Sequence, residues 1–166
     1  MKTEYWDLLD EAGRRTGERV RRGLFNRFES GRYHLVVHIW IKNSKGEFLI
    51  QQRSKNKEPM AGEWAATSGA VISGETAAQA AVRELHEELG ILVKTEELHY
   101  LARFKRKVSI TDIWWVGVDA SLDSLVLQRE EVTKAMWVTK ERLREMIGAG
   151  EFHNYGADYF DAVFRI

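Results

Sequence analysis

No cysteine occurs in these 166 residues, so disulfides, thiolate metal sites and cysteine nucleophiles are excluded. A reducing interior suits such a chain, and the expected location is cytoplasmic. Proline is almost as scarce, with Pro59 the only one, and no linker, repeat or low-complexity stretch divides the sequence. Net charge is lacking too: 25 Lys and Arg balance 25 Asp and Glu, so no overall field demands nucleic acid or a membrane as partner. No apolar run approaches the roughly 18 residues of a membrane span. The opening Met1-Lys2-Thr3-Glu4-Tyr5-Trp6-Asp7 lacks the apolar core of a secretory signal. What is present, 44% hydrophobic and 30% charged residues, is ordinary for one globular domain with a real core.

Period and punctuation sketch the elements. Residues 5–20 read as a hairpin, with Trp6, Leu8 and Leu9 before a turn at Ala12-Gly13, and residues 1–30 form an N-terminal extension. Residues 33–41 are rich in β-branched and aromatic types and predict a strand. Asn43-Ser44-Lys45-Gly46 is a turn signal, after which Phe48-Leu49-Ile50 begins the returning strand. Residues 54–63 read as a loop. From Thr76 the period becomes helical: Ala78, Ala81, Val82, Leu85 and Leu89 make one apolar stripe, and Gly90 suits the C-cap. Strands are expected near 98–108, 112–119 and 134–138, then a helix over 140–148 closed by Gly148 and Gly150. Tyr159, Phe160, Val163 and Phe164 predict a terminal helix that packs back on the body. Strands and helices mix without strict βαβ alternation, so the expected class is α+β, an α/β/α sandwich in one domain.

Chemistry concentrates between Gly69 and Ile91. Glu84, Glu87 and Glu88 stand at i, i+3 and i+4, which places three carboxylates on one helix face within about a turn. Like charges so spaced repel, and no lysine intersperses them between Thr76 and Leu89. A hard divalent cation would turn that repulsion into attraction. Mg²⁺ takes few carboxylates and completes its shell with water and phosphate oxygens, which suits a diphosphate substrate. An acidic pair alone would be an ordinary solvated face; the whole spacing is not. Gly69, Glu75, Arg83-Glu84, Glu87-Glu88 and Gly90 fill seven fixed places. With each residue type at ~6–7% usage, chance produces that pattern in about one chain in a million.

The stretch resembles the signature box of the Nudix hydrolases, over 23 residues with every fixed position filled. The resemblance implies a mixed sheet in an α/β/α sandwich, with the box as a loop–helix–loop over residues 69–91. It implies Mg²⁺, or Mn²⁺, held by Glu87 and Glu88, with Glu84 as ligand or general base. Glu75 and Arg83 would form a pair fixing the helix to its loop, and Gly74 would permit the turn. The backbone carbonyl of Ser68 is often a further ligand in relatives. The implied reaction is hydrolysis of a diphosphate linkage in a nucleoside diphosphate derivative, with water attacking phosphorus and a glutamate taking the proton.

The remainder bears on the substrate. Members specific for ADP-ribose tend to carry a proline past the box, and here none follows Pro59. Signatures associated with coenzyme A and NADH pyrophosphatases are absent. Gln51-Gln52-Arg53-Ser54, Lys55, Lys57 and Gly62-Glu63-Trp64 resemble the branch that includes isopentenyl-diphosphate isomerases and their bacterial hydrolase-like relatives. That isomerase uses a cysteine just before the box glycine and a histidine just after; here stand Ser68 and Ala70, which favours hydrolysis. A non-catalytic nucleotide-binding module is a third reading, disfavoured because Glu75, Glu84, Glu87 and Glu88 are all kept.

Arg53 and Lys57 are candidate phosphate contacts, balanced against a role as solvated loop charges. Glu130 and Glu131 precede the 134–138 strand, a region from which several relatives supply another ligand or base. Residues 14–32 hold seven arginines against two glutamates, but no aromatic-interleaved motif accompanies them, so a solvated face outweighs RNA binding. His34 and His38 share a strand face with no acidic or cysteine neighbour, which argues against zinc. Most of the six tryptophans are core candidates, with Trp64 or Trp115 available to stack a base. A homodimer is open to the chain.

Overall fold

Strand β3 (His34–Lys42) is the axis of the fold. Val37, Ile39 and Ile41 are fully buried on one of its faces and Trp40 on the other, so both faces of the sheet are covered. The structure is a computed structural model describing residues 3–23, 29–58 and 60–166.

The neighbours of β3 define the sheet. It pairs parallel with β8 (Ser109–Gly117) along its whole length. On its other edge it pairs antiparallel with β6 (Thr67–Ala70) over Val36–Ile39, and with β4 (Phe48–Arg53) only at Ile41–Leu49 and Lys42–Phe48. Beyond those two pairs that edge of β4 turns to β5 (Trp64–Ala65), while its other edge pairs antiparallel with β9 (Val132–Val138) from Phe48 to Arg53. The sheet therefore forks where β3 and β4 part, and Ala66 joins the two prongs between β5 and β6. Strand β7 (His99–Lys105) completes the seven strands beside β8.

Helix α1 (Ala77–Leu89) covers one face. Thr76 Oγ1 accepts from the Gln79 N–H at 3.1 Å, and Gln79 Oε1 accepts from the Thr76 N–H at 2.9 Å, a reciprocal cap. Gly90 ends the helix at φ 70°, a left-handed conformation that costs a residue without Cβ little. Ala80, Ala81, Leu85 and Leu89 are fully buried against Val37, Ile39 and Ile41. Each such leucine contributes ~1.5–3 kcal/mol by leaving water. Helices α2 (Lys140–Gly148) and α3 (Ala157–Val163) cover the opposite face, where Leu143, Met146, Tyr159 and Val163 pack on Trp40 and Phe48. The expected α+β sandwich in one domain is therefore the fold.

The hairpin forms as expected, with β1 (Tyr5–Leu9) antiparallel to β2 (Arg15–Arg21). Three boundaries move. The strands placed near 98–108 and 112–119 are β7 and β8, joined by a tighter turn that lets β8 begin at Ser109, and β9 begins at Val132. Strands β5 and β6 have no alternating pattern and were not expected. Pro59, within the loop read at 54–63, and residues 24–28, within the arginine-rich segment and the N-terminal extension, lie outside the described residues. Among the described residues no helix is long and apolar enough to cross a membrane.

Candidate active site

The box is strung between β6 and α1 by one arginine. Arg83 donates from Nε to Glu75 Oε1 at 2.7 Å and from Nη2 to Glu75 Oε2 at 3.1 Å. The same Nη2 donates to the Ala70 carbonyl at 3.0 Å, tying helix to strand. Glu75 Oε2 also accepts from the Ile72 N–H at 3.0 Å. Against the opposing effect of burial, Arg83 and that N–H hold the Glu75 carboxyl below the ordinary range. Gly74 sits at φ 92° in the turn between them, the conformation expected of that glycine.

Arg83 reaches further. Its Nη1 donates to Glu84 Oε1 at 2.6 Å and to Glu87 Oε2 at 3.1 Å. The repulsion expected among bare glutamates is thus relieved by a cation within the same turn, without a lysine. Glu84 lies directly beneath β6, so close that a Cβ on Gly69 would fall 2.0 Å from its carboxyl carbon. Burial is the main cause that pushes the Glu84 carboxyl up to about 7, with the Glu87 charge adding and Arg83 opposing.

Glu88 turns furthest inward of the three glutamates. It lies on the buried side of α1 with Leu85 and Leu89, at 4% exposure. Its Oε2 accepts from Gln51 Nε2 at 2.6 Å, and Gln51 Oε1 accepts from Thr67 Oγ1 at 2.8 Å. Burial pushes Glu88 up to about 8, against the Gln51 hydrogen bond, while the Glu84 and Glu131 charges raise it and Arg53 lowers it. Glu87 is half exposed. Among the described residues, no three Asp, Glu, His or Cys side chains already stand in an arrangement that could hold a metal ion.

The other candidates divide. Arg53 and Glu131 both lie within electrostatic reach of Glu88. Lys57 is engaged by Glu131, and the Glu131 carbonyl accepts from the Ser54 N–H at 2.8 Å. Glu130 is exposed. Since a Gly69 Cβ would aim at Glu84, side chains alternate so that Ser68 and Ala70 point to the opposite face of the sheet, with His38 as the register partner of Ser68. Among the described arginines of residues 14–32, Arg14 pairs with Asp10 and Arg32 with Glu18, both at 3.0 Å, and Arg22 with Glu4 at 2.6 Å. Trp115 stacks on His99 at 4.5 Å, which occupies one face expected to be open to a base.

Two features escape sequence reasoning. His38 is fixed by a relay from the far helix: Trp40 Nε1 donates to the Tyr159 hydroxyl at 3.0 Å, which lies 2.8 Å from His38 Nδ1. Burial is the first cause that pushes His38 down to about 3, keeping the imidazole neutral. The second feature is the docking of the expected hairpin on the box turn, through Asp7 and Arg15.

The NUDIX domain family model matches residues 32–157. The chain belongs to the Nudix family. It is 40% identical over 153 residues to a Nudix hydrolase of Listeria monocytogenes, covering 92% of this chain and 89% of that one. The crystal structure of DR0079 from Deinococcus radiodurans superposes with a TM-score of 0.76 at 26% identity, covering 98% of both chains. The isopentenyl-diphosphate Delta-isomerase 1 of Bos taurus is 31% identical over 175 residues, covering 89% of this chain and 74% of that protein. Kinship with the isomerase branch, expected from residues 51–64, is therefore present, and the chain is a Nudix hydrolase of the class acting on phosphoric anhydrides.

Proposed function

We propose that this Nudix hydrolase splits a diphosphate linkage in a nucleoside diphosphate derivative, using Mg²⁺ or Mn²⁺ held by Glu84, Glu87, Glu88 and the Ser68 carbonyl. The observation that carries the reading is the pair Glu84 and Glu88, two carboxylates withdrawn from water on adjacent turns and both raised by burial. Anionic carboxylates are costly there unless a positive charge offsets them. The donor set is oxygen only, which suits a hard divalent ion. Arg83 grips Glu75 and the Ala70 carbonyl independently, so its contacts with Glu84 and Glu87 are not what anchors the helix.

When bound, the ion neutralises phosphate oxygens and acidifies water. Glu84 accepts the proton from the attacking water, the Gly69 backbone leaving room for its carboxylate against β6. Glu131, the other carboxylate beside Glu88, is engaged by Lys57 and less free to do so. Arg53 meets a substrate phosphate from the end of β4, and Lys57 does so on parting from Glu131. The substrate is a soluble nucleoside diphosphate-type molecule.

Isomerisation is the second reading, favoured by the bovine isomerase's similarity. It needs a thiol and an imidazole where Ser68 offers a hydroxyl and Ala70 a methyl. A panel at fixed Mg²⁺ decides between them: nucleoside triphosphates, dinucleotides, sugar nucleotides and isopentenyl diphosphate, with products identified by mass. Hydrolysis of at least one nucleotide, abolished by EDTA and restored by Mg²⁺ or Mn²⁺, is expected. Glu87→Gln or Glu88→Gln should lower turnover by at least ~100-fold in a folded protein. Activity that persists under chelation, or wild-type rates in both variants, would overturn the metal assignment.

A further inference from the structure

The turn that launches the box helix is gripped by a hairpin outside residues 32–157, the span that matches the family model. Asp7, on β1, accepts from Ser73 Oγ at 2.6 Å through Oδ1 and from the Gly74 N–H at 3.1 Å through Oδ2. The Tyr5 carbonyl accepts from the Ser73 N–H at 2.7 Å. Arg15, on β2, lies with Nη1 3.4 Å from Asp7 Oδ2, while its Nη2 donates to the Glu75 carbonyl at 2.6 Å. Both strands thus hold three consecutive residues, 73–75, and the last is the one whose carboxylate holds Arg83.

We propose that Asp7, set by Arg15, is a positioning residue for the catalytic helix: it fixes the 73–75 turn so that Glu75 presents Arg83 to Glu84 and Glu87. The proposal rests on the reading of Glu84, Glu87 and Glu88 as the working carboxylates. The physical case is one of rigidity. Gly74 has the freest backbone in the turn, and its N–H is the one Asp7 binds. Pairing between a half-exposed Arg15 and Asp7 adds little to global stability. Its value lies in location, because small misplacements of groups that orient a reacting centre are expensive. Against the effect of burial, Ser73, Gly74 and Arg15 also hold the Asp7 carboxyl below the ordinary range, so it is ionised at neutral pH.

The test compares full-length Asp7→Ala, Asp7→Asn and Ser73→Ala with Glu18→Gln. Glu18 bonds Arg32 elsewhere in the same hairpin region and serves as control. Each variant is assayed for kcat, KM, thermal midpoint and Mn²⁺ affinity, the last by electron paramagnetic resonance without substrate. Asp7→Ala should lose about tenfold or more in kcat and in Mn²⁺ affinity at nearly unchanged KM, the scale seen when partners of metal ligands are removed. Asp7→Asn should fall between, since an amide oxygen preserves one acceptor, and Glu18→Gln should match wild type. If Asp7→Ala fails to fold, Asp7→Asn and Ser73→Ala answer the same question. Wild-type kcat and Mn²⁺ affinity in the folded variants overturn the proposal, as does an equal loss in Glu18→Gln, which would mean general loosening of the hairpin. Glu87→Gln separates the two levels. If it is inactive while the Asp7 variants are normal, only the positioning role fails; if it is fully active, the reading of the carboxylates fails.

Discussion

Gly69 and Glu84 occupy the same space up to one missing atom: a Cβ on the glycine would lie 2.0 Å from the carboxyl carbon of the glutamate. The glycine that opens the box is therefore required by contact. Gly69→Ala should push aside only the end of a flexible side chain, so the fold should survive with a small change in thermal midpoint. The displaced carboxylate should cost turnover about tenfold or more. Kinetics alongside thermal melting check both halves; unchanged kcat would show that Glu84 need not lie against β6.

Glu88 titrates in the direction that weakens the metal-free protein at high pH. Its carboxyl is pushed up to about 8 from an ordinary value of 4.5, so the folded form holds the proton more tightly than the unfolded chain. The stability this group contributes is complete below pH 4.5 and is lost as pH rises through about 8. In EDTA, Glu88→Gln should therefore lose less thermal stability than wild type across that window, and should match or exceed it at the alkaline end. Parallel melting curves at every pH would contradict the burial of this charge.

The ring of His38 is expected in one tautomer. Tyr159 accepts from Trp40, which leaves its own proton to donate to His38 Nδ1, so the imidazole carries its hydrogen on Nε2. With His38 pushed down to about 3, the folded protein binds fewer protons than the unfolded chain. Stability from this residue is present above 6.5 and falls as pH drops towards about 3. Nitrogen NMR at about pH 5 should still show a neutral Nε2–H ring, and Tyr159→Phe should mix the tautomers. An imidazolium signal at that pH would refute the relay.

Much of this was written locally in the chain. Thr76 and Gln79 cap α1, Gly90 ends it, and residues 33–41 carry a strand's composition, so those elements and the glutamate spacing were legible. Strands β5 and β6 were not, because Trp64-Ala65-Ala66-Thr67-Ser68-Gly69-Ala70 has no period of its own and becomes strand by pairing with β3 and β4. The direction of each carboxylate was also hidden. A helical spacing puts Glu84, Glu87 and Glu88 near one another, but only the packed strand shows that Glu88 turns inward to Gln51 and that Arg83 stands between the other two. Asp7 and Tyr159 lie 66 and 121 residues from their partners Ser73 and His38, beyond any local signal.

Those two residues also bear on where the protein can be cut. The family model ends at residue 157, inside α3, and begins at residue 32, after the hairpin. A fragment trimmed to that span keeps every box glutamate but discards Asp7 and Arg15 at one end. At the other it loses Tyr159, Phe160 and Val163, buried members of the core around Trp40. The stretch by which the family is recognised is thus shorter than the unit that must be expressed, and deletions drawn to its borders would strip the support from an otherwise intact motif.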